Sequence, residues 1–271
     1  MPNRISTGVN ANESYKFVNS TDDEVAVRNF VAKGGSQDFF LEVTKGNITG
    51  HSNINIVGNS PDINSTEETV WDFTDKYVYL TDDTTLYASS SDNGDTQDIV
   101  ITGLDSDYLA VTRTVTLSGQ TQVELSGQMF RVFSAYVNDS TTPAGDVYIA
   151  ESDTLSGGVP TTDSKIKAKI LQGKNITRMG IYTVPAGKSL IVTKLRFGVG
   201  KGKDARIFAN IRYLGGVWLC IADFNIYELS DEYDILGAGF TFPEKTDMEF
   251  SATSSVNSEV FAAVDATVID N

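Results

Sequence analysis

From about residue 76 onward, hydrophobic and polar positions alternate with a period of two, and no stretch of ten or more residues carries a helical apolar period. Val111, Val115 and Leu117 lie on one side of a ribbon whose other side is Thr112, Thr114 and Thr116, with Arg113 interrupting the apolar side. A second stripe joins Ala205, Ile207, Ala209, Ile211 and Tyr213 opposite Arg206, Asn210 and Arg212, with Phe208 as the exception. Val260, Ala262, Val264, Ala266 and Val268 form a third. Such stripes predict half-buried antiparallel strands, one face on a core and the other in water.

Turn signals separate the stripes: Asp92-Asn93-Gly94-Asp95, Gly103-Leu104-Asp105, Leu117-Ser118-Gly119-Gln120, the run from Gly198 to Lys203, and Gly215-Gly216. Short strands at this spacing predict an all-β fold of two antiparallel β-sandwich, jelly-roll-like domains preceded by an extended N-terminal arm. Strands expected near residues 76–80, 86–90, 98–102, 108–117, 130–136 and 146–150 would build the first sandwich. Those expected near 165–171, 178–183, 189–199, 205–214, 217–224, 247–253 and 259–269 would build the second. Between the sets, residues 150–164 read AESDTLSGGVPTTDS, a linker or long surface loop by composition. The resulting division is an arm and connector at 1–70, an acidic sandwich at 71–160 and a C-terminal sandwich at 161–271. Within the arm, 15–18, 24–31 and 39–43 look like strands. Three isolated strands bury too little to offset backbone ordering at roughly 1–2 kcal/mol per residue. The arm is therefore expected to pack on its own second domain or on neighbouring subunits.

Charge sharpens the division. The net charge of −15 comes wholly from residues 1–160, with 8 Lys+Arg against 23 Asp+Glu, whereas residues 161–271 carry 13 of each. Clustered phosphate binding needs the opposite balance, so no nucleic-acid partner is expected. No run approaches the length of a bilayer span, and Met1-Pro2-Asn3-Arg4 opens a polar segment without the apolar core of a signal peptide, so a soluble product folded in the cytoplasm, with no membrane contact, is expected. The single cysteine, Cys220, lies in the apolar run Val217-Trp218-Leu219-Cys220-Ile221 and reads as a small buried hydrophobe.

Candidate chemistry is thin. His51 is the only histidine, which rules out a multi-histidine metal site and leaves one residue for any Ser-His-Asp or Cys-His arrangement. Gly187-Lys188-Ser189 fails as a phosphate loop because the glycine required five residues earlier is Tyr182. Asp92, Asn93, Asp95 and Asp98 offer oxygen ligands to calcium but lack the EF-hand spacing, and a hairpin turn accounts for them. The acidic pairs Asp22-Asp23, Glu67-Glu68, Asp82-Asp83 and Asp231-Glu232 are too numerous to mark a glycosidase pair and read as solvated surface. No motif calls for a cofactor or a metal, and a non-enzymatic protein is expected.

Interaction surfaces stand out more. Lys194, Arg196, Lys201, Lys203, Arg206 and Arg212 flank one predicted hairpin, with Lys194 and Arg196 sharing a face with Leu190 and Val192. Such a cluster fits either a solvated sheet face or a dock for an acidic patch on another subunit. Trp71 and Trp218, with Tyr77, Tyr79, Tyr213 and Tyr227, offer stacking planes for a host glycan, or core and interface packing.

The stretch 50–72, GHSNINIVGNSPDINSTEETVWD, is a turn-rich connector ending in Val70-Trp71-Asp72. It resembles connectors in virion structural proteins of tailed bacteriophages, particularly those of marine bacteria. The texture of TLYASSSDNGDTQDIVITGLDSDYLAVTRTVTLSGQTQVEL, TPAGDVYIA, YTVPAGKSLIVTKLRFGVGKGKDARI and FPEKTDMEFSATSS extends the resemblance over roughly residues 50–271. It implies a capsid decoration or cement protein, or another head- or tail-attached component. The chain would be made in the host bacterial cytoplasm, reside in the virion, and contact other virion proteins and its own copies, a trimer being one arrangement. The competing reading is a receptor-binding spike that recognises host polysaccharide on the same β scaffold.

Overall fold

The computed structural model describes residues 39–227 and 240–271 in full and, elsewhere, the backbone of short strands within 17–36 and at 230–234. The chain divides into two compact units, Met1–Asn53 and Ile54–Asn271. In the first, β1 (Phe17–Val18) pairs with β2 (Glu24–Val25) and β3 (Val31–Ala32) with β4 (Gly35–Ser36), both antiparallel. Most of the strand expected at 24–31 lies outside the described residues. The segment expected as a strand at 39–43 is instead a helix, α1 (Phe39–Thr44). Local bonds favour it: the Thr44 hydroxyl donates to Phe40 O at 2.8 Å, and Lys45 and Asn47 reach back to Glu42. Gly46, at φ 73°, then ends the helix in the left-handed conformation that only glycine adopts without strain.

The second unit is nearly all antiparallel β. It takes in β5 (His51–Ile63) from Ile54 onward, then β6 (Glu68–Thr69), β7 (Leu86–Ser90), β8 (Asp98–Leu104), β9 (Ala110–Thr116) and β10 (Val123–Glu124). Next come β11 (Arg131–Val137), β12 (Val147–Glu151), β13 (Leu155–Ser156), β14 (Val159–Pro160), β15 (Ile166–Ile170) and β16 (Ile181–Thr183). It ends with β17 (Lys188–Val199), β18 (Asp204–Arg212), β19 (Leu219–Tyr227), β20 (Ser230–Asp234), β21 (Phe240–Phe242), β22 (Asp247–Thr253) and β23 (Ser258–Asp270). The segment taken from sequence as an irregular connector at 50–72 thus opens with a thirteen-residue strand, β5. The strand expected at 76–80 is extended chain outside any sheet.

Four sheets wall two cores. A four-stranded sheet, β10-β7-β12-β15, and a three-stranded sheet, β11-β8-β9, enclose a core that includes Leu86, Ile99, Ile101, Ile149 and Ile170. Two five-stranded sheets enclose the other: β16-β22-β18-β19 with β6 on β22, and β20-β17-β23-β5 with β21 on β17. This second core includes Leu190, Phe197, Ile207, Phe250 and Val264. A jelly roll folds eight strands into two sheets through two Greek keys. The strand orders here are instead those of several small antiparallel sheets, and they do not resolve into two jelly rolls. Residues 150–164 are no free linker either. They hold the β13–β14 hairpin, whose turn residues Gly157 and Gly158 have φ 58° and 80° as a type I′ turn requires, and β15 beyond them pairs with β12.

The longest ladder, β17 on β23, sets Leu190 opposite Val268, Val192 opposite Ala266, Leu195 opposite Val264 and Phe197 opposite Ala262. A register shift between Val192 and Lys194 inverts the phase of β17, so Leu190 and Val192 before it, and Leu195 and Phe197 after it, all reach the core. Lys194 and Arg196 therefore leave the face that strict alternation would have shared with Leu190 and Val192. Where the cores meet, β5 passes so close to Val70 and Gly180 that a Cβ on Gly58 would stand 2.4 Å from Val70 O. Only glycine admits that approach.

Candidate interaction surface

The charged groups Arg131, Arg212 and Asp247 are matched in the seam between the cores. The Arg131 side chain, from the first core, donates Nε to Asp247 Oδ1 at 3.0 Å and Nη2 to Oδ2 at 3.3 Å, and Nη1 to Leu80 O at 2.9 Å. Asp247, on β22, also accepts from Arg212 Nε at 2.9 Å and Nη2 at 2.6 Å, and from the Thr183 hydroxyl at 2.6 Å. Arg131 lies 3.9 Å above the Phe130 ring, and Arg212 lies between Tyr79 at 5.0 Å and Trp218 at 4.7 Å. A carboxylate with five donors, and guanidiniums over aromatic faces, offset the cost of burying these charges. At a second clasp, Asp72 accepts from Arg178 through its backbone N, Nε and Nη2 at 2.6–2.9 Å.

An aromatic row leads outward from the first core: Trp71 to Tyr77 at 5.0 Å, Tyr77 to Tyr79 at 4.9 Å and Tyr79 to Trp218 at 5.3 Å. Trp71, expected on an interaction surface, is 2% exposed, its indole N–H donating to Asp75 O at 3.1 Å. It is a core residue. Tyr77 and Tyr79 are likewise too deep to stack on a ligand, and burial raises both hydroxyl pKa values.

The six basic residues do not flank a hairpin. β17 and β18 belong to different sheets, and the turn at 200–203 crosses from one to the other. Most of the cations are already matched within the chain: Arg196 meets Asp265 at 2.7 Å, Arg206 grips Asp223 from Nε at 3.0 Å to both oxygens, and Arg212 is held by Asp247. Lys194 sits opposite Asp265 and Asp234 in the ladders. Lys201 and Lys203, at the turn, have no carboxylate partner among the described residues.

The true hairpin is β18–β19. Its tip reads Tyr213-Leu214-Gly215-Gly216-Val217-Trp218-Leu219, with a turn closed by Gly216 N to Tyr213 O at 2.8 Å. Val217 is 74% exposed, Leu214 62%, Leu219 45% and Tyr213 43%. Cys220, expected to be buried, is exposed too. Leu219 pairs with buried Ile211, so it faces the core side of its sheet and yet remains uncovered. Sequence showed an apolar run here, but not that β19 is the last strand of its sheet.

Other candidates have local roles. His51 Nδ1 lies 3.0 Å from Thr49 O, and its ring stands edge-on to Phe39. Asp95 accepts from the Ser90 hydroxyl and from Ala144 and Gly145 N, bonds that pull its pKa down against burial, while Asp92 caps Gly94 N at 2.7 Å. These carboxylates organise the turn, and no cluster of three or more metal-ligating side chains occurs among the described residues. Asp22-Asp23 and Asp231-Glu232 lie outside the residues whose side chains are described. Glu249 is unusual: burial pushes its pKa up to about 7 despite a 2.9 Å bond from Thr69 Oγ1. A cleft of about 550 Å³ opens beside β5, floored by the Phe133 and Tyr182 rings, 4.6 Å apart, and edged by Asn55, Thr177 and Arg178.

No protein-family model matches the chain, and no curated protein matches it. Among solved structures, one of infectious bursal disease virus Gt strain is similar over 86% of this chain and 78% of that one, with 10% identity and a TM-score of 0.22. The VP2 subviral particle of the same virus is similar over 81% and 72%, with 9% identity and a TM-score of 0.16. A protein described as secreted, from Parabacteroides distasonis, is similar over 83% and 91%, with 11% identity and a TM-score of 0.16. TM-scores this low do not establish a common fold. No helix among the described residues is long and apolar enough to cross a membrane.

Proposed function

We propose that this chain is a non-enzymatic structural protein of a tailed-phage virion, a capsid decoration or cement protein or another head- or tail-attached component, working through protein–protein contacts. One observation carries the reading: a β scaffold whose seam charges, Arg131, Arg212 and Asp247, are matched ends in an uncharged apolar hairpin tip left open to solvent. Apolar patches of that kind mark contact surfaces. The resemblance of residues 50–271 to virion proteins supplies the setting. Two β-sandwich-like bodies would give rigid faces, and Lys201 and Lys203 would meet an acidic patch on a neighbouring virion protein, with affinity that weakens as salt rises. The test is to add labelled protein to particles that lack it. Saturable binding at a fixed site on head or tail is expected; failure to bind any particle or virion component overturns the reading.

The cleft favours a second reading, host polysaccharide recognition. Aromatic rings beside Asn55 and Arg178 match the apolar face and hydroxyls of a pyranose. Binding to a glycan array that Phe133→Ala abolishes would favour that spike-like role over the structural one.

A further inference from the structure

We propose that the β18–β19 hairpin and the outer side of β19 form a self-association surface whose occupant is a second copy of this chain. The inference rests on the reading of the chain as a contact-making structural protein and specifies which contact its own copies make. β19 ends the strand order of its sheet, so among the described residues its outer backbone donors and acceptors face no other strand. A sheet edge that faces no other strand is a template for one. Normally such edges are blunted by lysine, proline or short length. β19 has nine residues, no lysine and no proline, and it is continued by the apolar tip.

Size fits. Nine residues of strand extend about 30 Å. Leu214, Val217, Leu219 and Tyr213, each exposed by 43% or more, widen that strip with apolar surface.

Charge selects the occupant. The run from Tyr213 to Ala222 holds no Asp, Glu, Lys or Arg, and the next residue, Asp223, is gripped by Arg206. A chain of net charge −15 would repel its own copy across most surfaces, but here the nearest negative charge is compensated in place. A lipid surface is disfavoured for the complementary reason: interfacial binding draws on exposed cations, and the two flanking guanidiniums, Arg206 and Arg212, are committed to Asp223 and Asp247. An uncharged patch cannot select an oppositely charged partner, whereas two identical antiparallel edges match about a twofold axis by construction.

Sedimentation velocity on the purified full-length protein, over a range of concentrations, tests this with Cys220 as a built-in reporter. The wild type is expected to associate, and the reaction of Cys220 with a maleimide to slow about tenfold in the associated form, since a covered thiol is reached only after dissociation. Val217→Asp and Leu214→Ser change exposed side chains, so the unfolding midpoint should hold while association weakens by at least about tenfold. As a check without mutation, wild type pre-labelled at Cys220 with a bulky maleimide should also fail to associate. A wild type that is monomeric at every concentration overturns the inference, as does an oligomer in which Cys220 reacts at the monomer rate and both variants associate normally. Binding of a monomer to anionic or neutral vesicles through the hairpin overturns it too. If the monomeric protein still binds particles, the self-association surface fails while the structural role stands.

Discussion

Arg212 and Tyr213 are chain neighbours, yet they belong to regions with opposite physical character. Arg212 belongs to the seam, where a carboxylate accepts from two guanidiniums and a hydroxyl. Tyr213 begins a hairpin in which apolar side chains have no cover. Burying charge is costly unless every partner is in place, so the seam permits essentially one geometry. Exposing apolar surface leaves stabilisation unrealised, so the hairpin gains from whatever covers it. One strand, β18, carries both: its rigid end fixes how its open end is presented.

Breaking the seam should have the largest effect. Asp247→Ala strands Arg131, which is buried, without a counter-charge, and removing one partner of a buried pair costs about 3–5 kcal/mol. Urea unfolding should show the unfolding free energy fall by that amount, through a lower midpoint with an unchanged slope. A loss under about 1 kcal/mol would mean that water reaches Arg131 and that the seam does not hold the cores together. Asp247→Asn, which keeps acceptors for Thr183 and one arginine, should lose less.

How much of this was legible in the sequence depended on whether period-two alternation ran unbroken. The stripe from Val260 to Val268 is buried throughout, and that from Ala205 to Ile211 likewise, because the bulges in their ladders fall on the partner strands, at Thr193 of β17 and Ile221 of β19. β17 misled the same logic: its bulge moves Leu195 and Phe197 onto the core face, and nothing in Val192-Thr193-Lys194 announces a bulge. β5 was hidden by Asn, Ser, Gly and Pro, residues that ordinarily mark turns, although Ile54 and Ile56 kept the alternation. For the site, charge counting collected six cations into one hairpin, but pairing partners are set by long-range topology: Asp223, Asp247 and Asp265 each neutralise one of them from another strand. Exposure at the β18–β19 tip was illegible for a similar reason. An apolar run reads as core until the strand order reveals that no sheet covers it.

A second way to sharpen the contrast uses Glu249, which burial keeps partly protonated at neutral pH beside Thr69, Lys76, Glu67 and Tyr79. Its folded-state pKa of about 7 lies above the ordinary 4.5, so between those values the folded state binds the proton that the unfolded chain has released. Stability from this residue therefore falls as pH rises from about 4.5 to 7 and is flat above, by up to about 3 kcal/mol. Glu249→Gln should remove that slope and unfold at higher urea than wild type at pH 8. Equal pH profiles for the two proteins would place an ionised, solvated carboxylate there instead. The hairpin tip from Tyr213 to Ala222 carries no Asp, Glu or His, so association should be unchanged across the same window.

Arg206→Ala gives the smallest change in folding and the most specific one in association. The Arg206–Asp223 pair is solvent-exposed, and exposed pairs contribute little to stability, so the unfolding midpoint should stay within measurement scatter. At the β19 edge, however, the substitution leaves Asp223, the one acidic residue within β19, uncompensated before an identical copy. Like charges brought together oppose docking and are screened by salt. Association of the variant should accordingly be weaker than wild type at low ionic strength and recover as salt rises. A loss independent of salt would point to packing by the arginine stem, and unchanged association at every ionic strength would move the contact away from β19. Lys201→Glu with Lys203→Glu supplies the contrast, since those side chains lie at the β17–β18 turn. Self-association should be untouched there, and only binding to an acidic virion neighbour should weaken.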